Sequence, residues 1–282
     1  MGKLTGKVAA VTGGGSGIGK AICLAMSAEG AKVVVGDIGK NPEGKYTAEL
    51  TVDLIKEAGG EAVASVGDIT TMAGGEGLVK AAVDNYGKID ILVNCAGFTR
   101  AVDFFEDNEK NWDDIVAVNM KGQFTTTHYA AKEMAKNKSG AIINFSSRAA
   151  FVDGIPGPGM SSLPYSASKA GVIGFTTLCS LELKAHGITC NAVLPSAVTP
   201  GFPMDRPKFG GGVTSGPEFI AQFVTFLGTD EAKEVTGQFF YVSSGDIAIF
   251  QKPLRLENVE RFLHKDSWTI DDMIKEVPPL VY

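Results

Sequence analysis

The sequence has only four cysteines (Cys23, Cys95, Cys179 and Cys190), scattered through 282 residues with no CxxC pair. The three histidines stand apart from them, so the usual ligand spacings of zinc and dithiol redox sites are missing and no metal is expected. Thiols so placed read as reduced and mostly buried, which fits a cytosol-like compartment. Positive charge is also short: the formal net charge is −6, and no cluster of Lys and Arg relieves it. Binding phosphate backbones needs such clusters, so a nucleic-acid partner is not expected. No apolar run is long enough to span a bilayer, and Met1 leads almost directly into a strand-like run rather than a signal sequence. Met1-Gly2-Lys3-Leu4-Thr5-Gly6 lacks the hydroxyl residue that a myristoylation site wants at its sixth position. Internal repeats and low-complexity stretches are absent too. These absences point to a cytoplasmic chain with no membrane partner.

At 44% hydrophobic and 21% charged residues, the composition is that of an ordinary globular enzyme. The length fits one domain over residues 1–282, with a core from about 5 to 245 and a C-terminal extension over 246–282. Apolar, β-branched runs recur at Lys7–Thr12, Lys32–Gly36, Ala62–Val66, Ile89–Asn94, Ala141–Ser146, Ile188–Val193 and Gln238–Val242. Amphipathic stretches alternate with them, at Thr47–Ala58, Ala73–Tyr86, Trp112–Lys136 and Tyr165–His186. Strand then helix, repeated, predicts an α/β fold: a doubly wound, Rossmann-type parallel sheet of about seven strands with helices on both faces. Two Gly/Pro-rich loops, Arg148–Pro164 and Pro200–Pro217, interrupt the rhythm and read as lids or binding loops.

Gly13, Ser16, Gly17, Ile18 and Gly19 follow the first strand and open the first helix. Glycines there permit a tight turn whose backbone N–H groups approach a pyrophosphate, aided by the helix N-terminus. Asp37, closing the second strand, would accept hydrogen bonds from the adenosine ribose and repel a 2′-phosphate. Ser16 agrees, since no Arg or Lys in the turn offsets that phosphate. NAD is therefore the expected cofactor rather than NADP.

At this point the sequence resembles the short-chain dehydrogenase/reductase family, over about Lys7 to Gly245. The TGxxxGxG signature is met by Thr12, Gly13, Gly17 and Gly19, and NNAG appears as Asn94-Cys95-Ala96-Gly97, with Cys for the second Asn. The resemblance implies that Asp68 and Ile69 meet the adenine, and that Asn94, Ala96 and Gly97 belong to the cofactor site. With Asp90, Asn94 also reads as tying strands and loops together beneath the cofactor. Pro195, Val198 and Thr199 are implied on the nicotinamide side, although the usual Pro-Gly is here Pro195-Ser196.

Tyr165 and Lys169 stand four residues apart, hence on one helix face. A free tyrosine titrates near pH 10, and a neighbouring ammonium stabilises its phenolate, making Tyr165 the candidate general acid/base. By resemblance Lys169 also binds the nicotinamide ribose, and Asn119 kinks its helix and holds a water joining Lys169 to solvent. The substrate-polarising hydroxyl is carried to Ser147, with Ser146 as the alternative, although the spacing to Tyr165 is several residues longer than is common in the family.

Phe151, Ile155, Met160, Phe202, Met204 and Phe209 are candidates for an apolar substrate wall, and equally for packing on one another. Pro195-Ser196-Ala197, the long loop after Asp37 and the C-terminal tail loosely resemble the 3-hydroxyacyl-CoA dehydrogenase units of peroxisomal multifunctional enzymes. A CoA ester would want basic residues at the pocket mouth, such as Arg148, Arg206, Lys208 or Lys252. The expected activity is interconversion of a hydrophobic secondary alcohol and its ketone, with a cyclic, terpenoid or steroid alcohol as the alternative substrate. A homodimer or homotetramer, paired through the helices at Trp112–Lys136 and Tyr165–His186, is implied by the resemblance. Two other readings are a catalytically idle NAD-binding regulator on the same fold, and an interaction subunit using residues 251–282.

Overall fold

A computed structural model describes residues 2–100, 102–151, 162–199 and 216–250. Through Phe250 they form one compact unit. Eight strands make one sheet: β1 (Val8–Thr12), β2 (Lys32–Gly36), β3 (Ala62–Ser65), β4 (Ile91–Asn94), β5 (Gly140–Phe145), β6 (Ile188–Ser196), β7 (Phe239–Ser243) and β8 (Asp246–Ile249). Their order is β3-β2-β1-β4-β5-β6-β7-β8, parallel except for β8, which runs antiparallel to β7. The seven expected strands are therefore joined by an eighth. Ser244 and Gly245 (φ 84) turn the chain between Ser243 and Asp246, and residues 246–249, read from sequence as extension, complete the sheet instead.

Burial explains why the strands read as continuous apolar runs. Within β1, Ala9 and Val11 point into one core with Val33, Val35, Ile91 and Val93. Val8 and Ala10 point into the other with Val34, Leu92 and Ile142. Alternate side chains thus feed two cores, and both must be apolar. Helix α1 (Gly17–Ala28), α2 (Thr47–Glu57) and α7 (Glu218–Leu227) cover the first face. The second is covered by α3 (Met72–Tyr86), α5 (Gly122–Asn137) and part of α6 (Leu163–Glu182). Among the described residues no helix is long and apolar enough to cross a membrane.

The predicted helix over Trp112–Lys136 is in fact two. Helix α4 (Glu109–Val116) and α5 are joined by a π-helical turn over Ala117–Lys121, with Asn119 inside it. Asn108 caps α4, its side chain accepting the Asn111 N–H at 3.0 Å. The last long helix starts at Leu163 with Pro164 in its first turn, where a missing N–H costs no hydrogen bond. It gives way to a 3-10 turn (Lys184–His186) before Gly187, whose φ of 69° ends the helical run.

The strand order reverses between β1 and β4, and register brings their ends level. Thr12 lies opposite both Gly36 and Asn94, while Asn94 lies opposite Asn144. Gly13, Asp37 and Cys95 therefore leave the sheet side by side, at the switch point where α/β sheets open a crevice.

Candidate active site at the switch point

A cleft of about 460 Å³ opens there. Its wall includes Gly13, Ser16, Gly17, Ile18 and Gly19 from the first turn, and Asp37 from the end of β2. Ala96 and Gly97 follow β4, Tyr165 and Lys169 come from α6, and Pro195 and Thr199 from the end of β6. A smaller hollow continues from it, sharing Gly13, Asp37 and Ala96 and adding Asp68 and Ile69. Residues from widely separated segments of the chain thus meet along these two adjoining hollows.

The glycine turn is built for close approach. Gly13 takes φ 68°, and a Cβ on Gly19 would lie 2.1 Å from the Gly13 carbonyl oxygen, so only glycine lets α1 begin against the turn. Ser16, the N-cap residue, is exposed and makes no side-chain cap, which leaves the first N–H groups of α1 facing the groove. Asp37 stiffens this arrangement: Oδ2 accepts the Gly15 N–H at 2.9 Å and Oδ1 the Gly39 N–H at 2.7 Å. Each carboxylate oxygen accepts more than one hydrogen bond, so acceptor capacity remains toward the groove. Among the described residues lining the cleft, Lys169 is the one cation. Asp68 is exposed, its Oδ1 accepting the Thr70 N–H at 2.9 Å.

Lys169 is 4% exposed, and its Nζ donates to the Phe145 carbonyl at 2.8 Å. Burial pushes its ammonium down from 10.5 to about 8. The Nζ stands 5.6 Å from the centre of the Tyr165 ring, one helical turn away. Asn119 is fully buried in the π turn and clasps the loop after β4: Oδ1 accepts the Phe98 N–H and Nδ2 donates to the Phe98 carbonyl, each at 2.9 Å. A Cβ on Gly97 would come within 2.9 Å of Asn119 Oδ1 and 3.3 Å of Lys169 Nζ, so that glycine lets the two side chains converge. The Asn119 carbonyl accepts from Gln123 Nε2 at 2.9 Å.

The two serines differ. Ser146 is buried and its hydroxyl donates to the Lys169 carbonyl at 2.8 Å. Ser147 is half-buried, and its hydroxyl accepts the Ala149 N–H at 3.2 Å while donating to none of the described residues. The cleft wall passes through Ser146 and not Ser147. Val198 is likewise half-buried and lies off the wall, between Pro195 and Thr199.

Asn94 lies beneath the cleft rather than in its wall, 1% exposed. Its amide donates to Asn144 at 2.9 Å and to Thr127 at 3.0 Å, and its oxygen accepts from Thr126 at 2.6 Å. Asp90 accepts the Val8 N–H at 2.8 Å, bridging β1 and β4. Cys95 lines the cleft, and burial raises its thiol to about 12. Phe98, Val118 and Phe145 also line it without having been singled out from sequence; their only signal was adjacency to Gly97, Asn119 and Ser146.

Of the substrate-wall candidates, Phe151 stacks on Phe250 with ring centres 5.0 Å apart. Ile155, Met160, Phe202, Met204, Phe209, Arg206, Lys208, Lys252 and the whole of 251–282 lie outside the described residues. Arg148 lies over the Tyr241 ring at 5.5 Å. No metal-ligating cluster occurs among the described residues.

The short chain dehydrogenase family model matches residues 7–208. A (2S)-[(R)-hydroxy(phenyl)methyl]succinyl-CoA dehydrogenase subunit, BbsD, of Thauera aromatica is 37% identical, over 85% of this chain and 96% of that protein. A 3-oxoacyl-[acyl-carrier-protein] reductase, FabG, of Thermotoga maritima is 38% identical, over 86% and 98% respectively. Among solved structures, a short chain dehydrogenase from Mycobacterium avium superimposes with a TM-score of 0.85 at 35% identity, covering 99% of this chain and 96% of that one.

Proposed function

Because the chain belongs to the short chain dehydrogenase family, we propose that it is an NAD-dependent oxidoreductase interconverting a hydrophobic secondary alcohol and its ketone. The carrying observation is that Tyr165 and Lys169 share one cleft with the glycine turn and Asp37. The fit to a dinucleotide is good: an uncapped helix start for the pyrophosphate, a carboxylate for the ribose, and a hollow bounded by Asp68 and Ile69 for the base. When bound, NAD supplies the hydride acceptor. Tyr165 then takes the alcohol proton, or returns it in the reductive direction, and Lys169 holds the phenolate by its charge. Ser147, whose hydroxyl donates to none of the described residues, orients the substrate oxygen.

Both named relatives act on acyl thioesters, so a hydroxyacyl or oxoacyl thioester is the substrate class we favour over a cyclic alcohol. The idle-regulator reading has no observation in its favour. We further propose a cytoplasmic location, in keeping with four free cysteines, and a homo-oligomer, since α4 and α5 expose Trp112 and Phe124 while α6 exposes Leu178 and Leu181. The test is NAD reduction over 3-hydroxyacyl-CoA esters, cyclic and terpenoid alcohols and steroids, with wild type beside Tyr165→Phe. Turnover lost in the variant is expected, with NAD binding retained; turnover that survives would remove Tyr165 from the mechanism.

A further inference from the structure

Gln123 lies one helical turn beyond Asn119 and is 1% exposed. Its Nε2 donates to two carbonyls of different elements, that of Asn119 in the π turn at 2.9 Å and that of Phe145 at the end of β5 at 3.1 Å. The Phe145 carbonyl also accepts from Lys169 Nζ at 2.8 Å. Its two lone pairs are therefore shared between the amide and the ammonium. The amide cannot be turned round, because Oε1 would then face two carbonyl oxygens. In the orientation required, Oε1 is buried with no hydrogen-bond partner among the described residues. An apolar side chain of the same length would fill this space without burying an unmet acceptor. The two donations are what an amide adds here.

We propose that Gln123 is a positioning residue for Lys169: by clamping the Phe145 carbonyl to the π turn, it gives the ammonium one fixed anchor and leaves its other hydrogens to the cleft. The inference rests on the proposed roles of Tyr165 and Lys169. It concerns a residue outside the lining of the cleft, and it adds Gln123 to a site otherwise assembled from family motifs.

The experiment compares wild type, Gln123→Met and Gln123→Glu, using 13C NMR titration of the Lys169 ε-carbon and initial rates across pH. With the carbonyl no longer shared, the Lys169 midpoint in Gln123→Met should rise by about half a pH unit or more. Loss of the fixed anchor should lower kcat by about tenfold near neutrality, with KM within about twofold. In Gln123→Glu only the protonated carboxyl can donate, so its rate relative to wild type should fall steadily as pH rises. A packing role alone would lower rates equally at all pH and leave the Lys169 midpoint in place, and that result would overturn the proposal. If Gln123→Met does not fold, the pH trend of Gln123→Glu decides. If wild type turns over no alcohol, the proposed reaction fails, while the NMR midpoint still decides the clamp.

Discussion

At the residue scale, Lys169 shows how a buried charge is maintained against stability. In the unfolded chain its ammonium titrates at 10.5, in the fold at about 8. Between those values the unfolded chain binds the extra proton, so this group's contribution to stability rises with pH across the window. Below about pH 8 the full cost of burying the charge is present, on the order of 3 kcal/mol. Lys169→Met should therefore abolish turnover yet raise the melting temperature near neutral pH, while the Phe145 carbonyl keeps its bond to Gln123. Calorimetry near pH 7 and pH 10 checks it: the gain should shrink at the higher pH. Asp37→Asn tests the cofactor assignment, because it removes charge while keeping one acceptor. The preference for NAD over NADP, read as a ratio of kcat/KM, should narrow by about tenfold or more. Most of these residues were legible in sequence because each sits in a motif with fixed neighbours. Gln123 was not, since its role depends on the carbonyls of Asn119 and Phe145, and backbone oxygens leave no trace in a sequence.

At the scale of elements, the glycine turn and α1 form one rigid unit. Gly19→Ala places a Cβ against the Gly13 carbonyl and must push α1 away from the turn. Dinucleotide binding, followed by fluorescence titration, should weaken by about a hundredfold, and the fold should lose stability as well. A milder case is the start of α3, where Thr71 accepts the Gly74 N–H at 3.0 Å; Thr71→Ala should cost about 1 kcal/mol in a denaturant titration. Strands were legible because burial on both faces makes them apolar throughout. The π turn was not legible from periodicity, and only the kink expected by resemblance at Asn119 marked its place. The short strand β8 escaped for a different reason. Its alternating half-buried and exposed residues follow the Ser-Gly turn so closely that they read as the start of the extension.

For the whole molecule, the alternation of strand and helix predicted the doubly wound sheet, and with it the crevice between β1 and β4 where the site residues meet. The apolar residues left outside on α4, α5 and α6 belong to this scale. Leu181 is 68% exposed and Leu178 56%, one turn apart on the face of α6. If they meet a second copy, replacing both by Glu should halve or quarter the mass measured by light scattering with the sheet intact by circular dichroism.

The cleft draws its wall from Gly13 near one end of the chain and Thr199 far along it, with a Cβ at Gly17 reaching within 3.5 Å of the Thr199 side chain. A ligand seated there holds the two halves of the sheet to each other, and it cannot bind a chain in which they have parted. Occupancy and folding are then thermodynamically linked, adding about 2.7 kcal/mol when the ligand stands at a hundred times its dissociation constant. With the proposed dinucleotide as that ligand, its supply becomes a determinant of the protein's lifetime against proteolysis, and scarcity would thin the protein population as well as idle it.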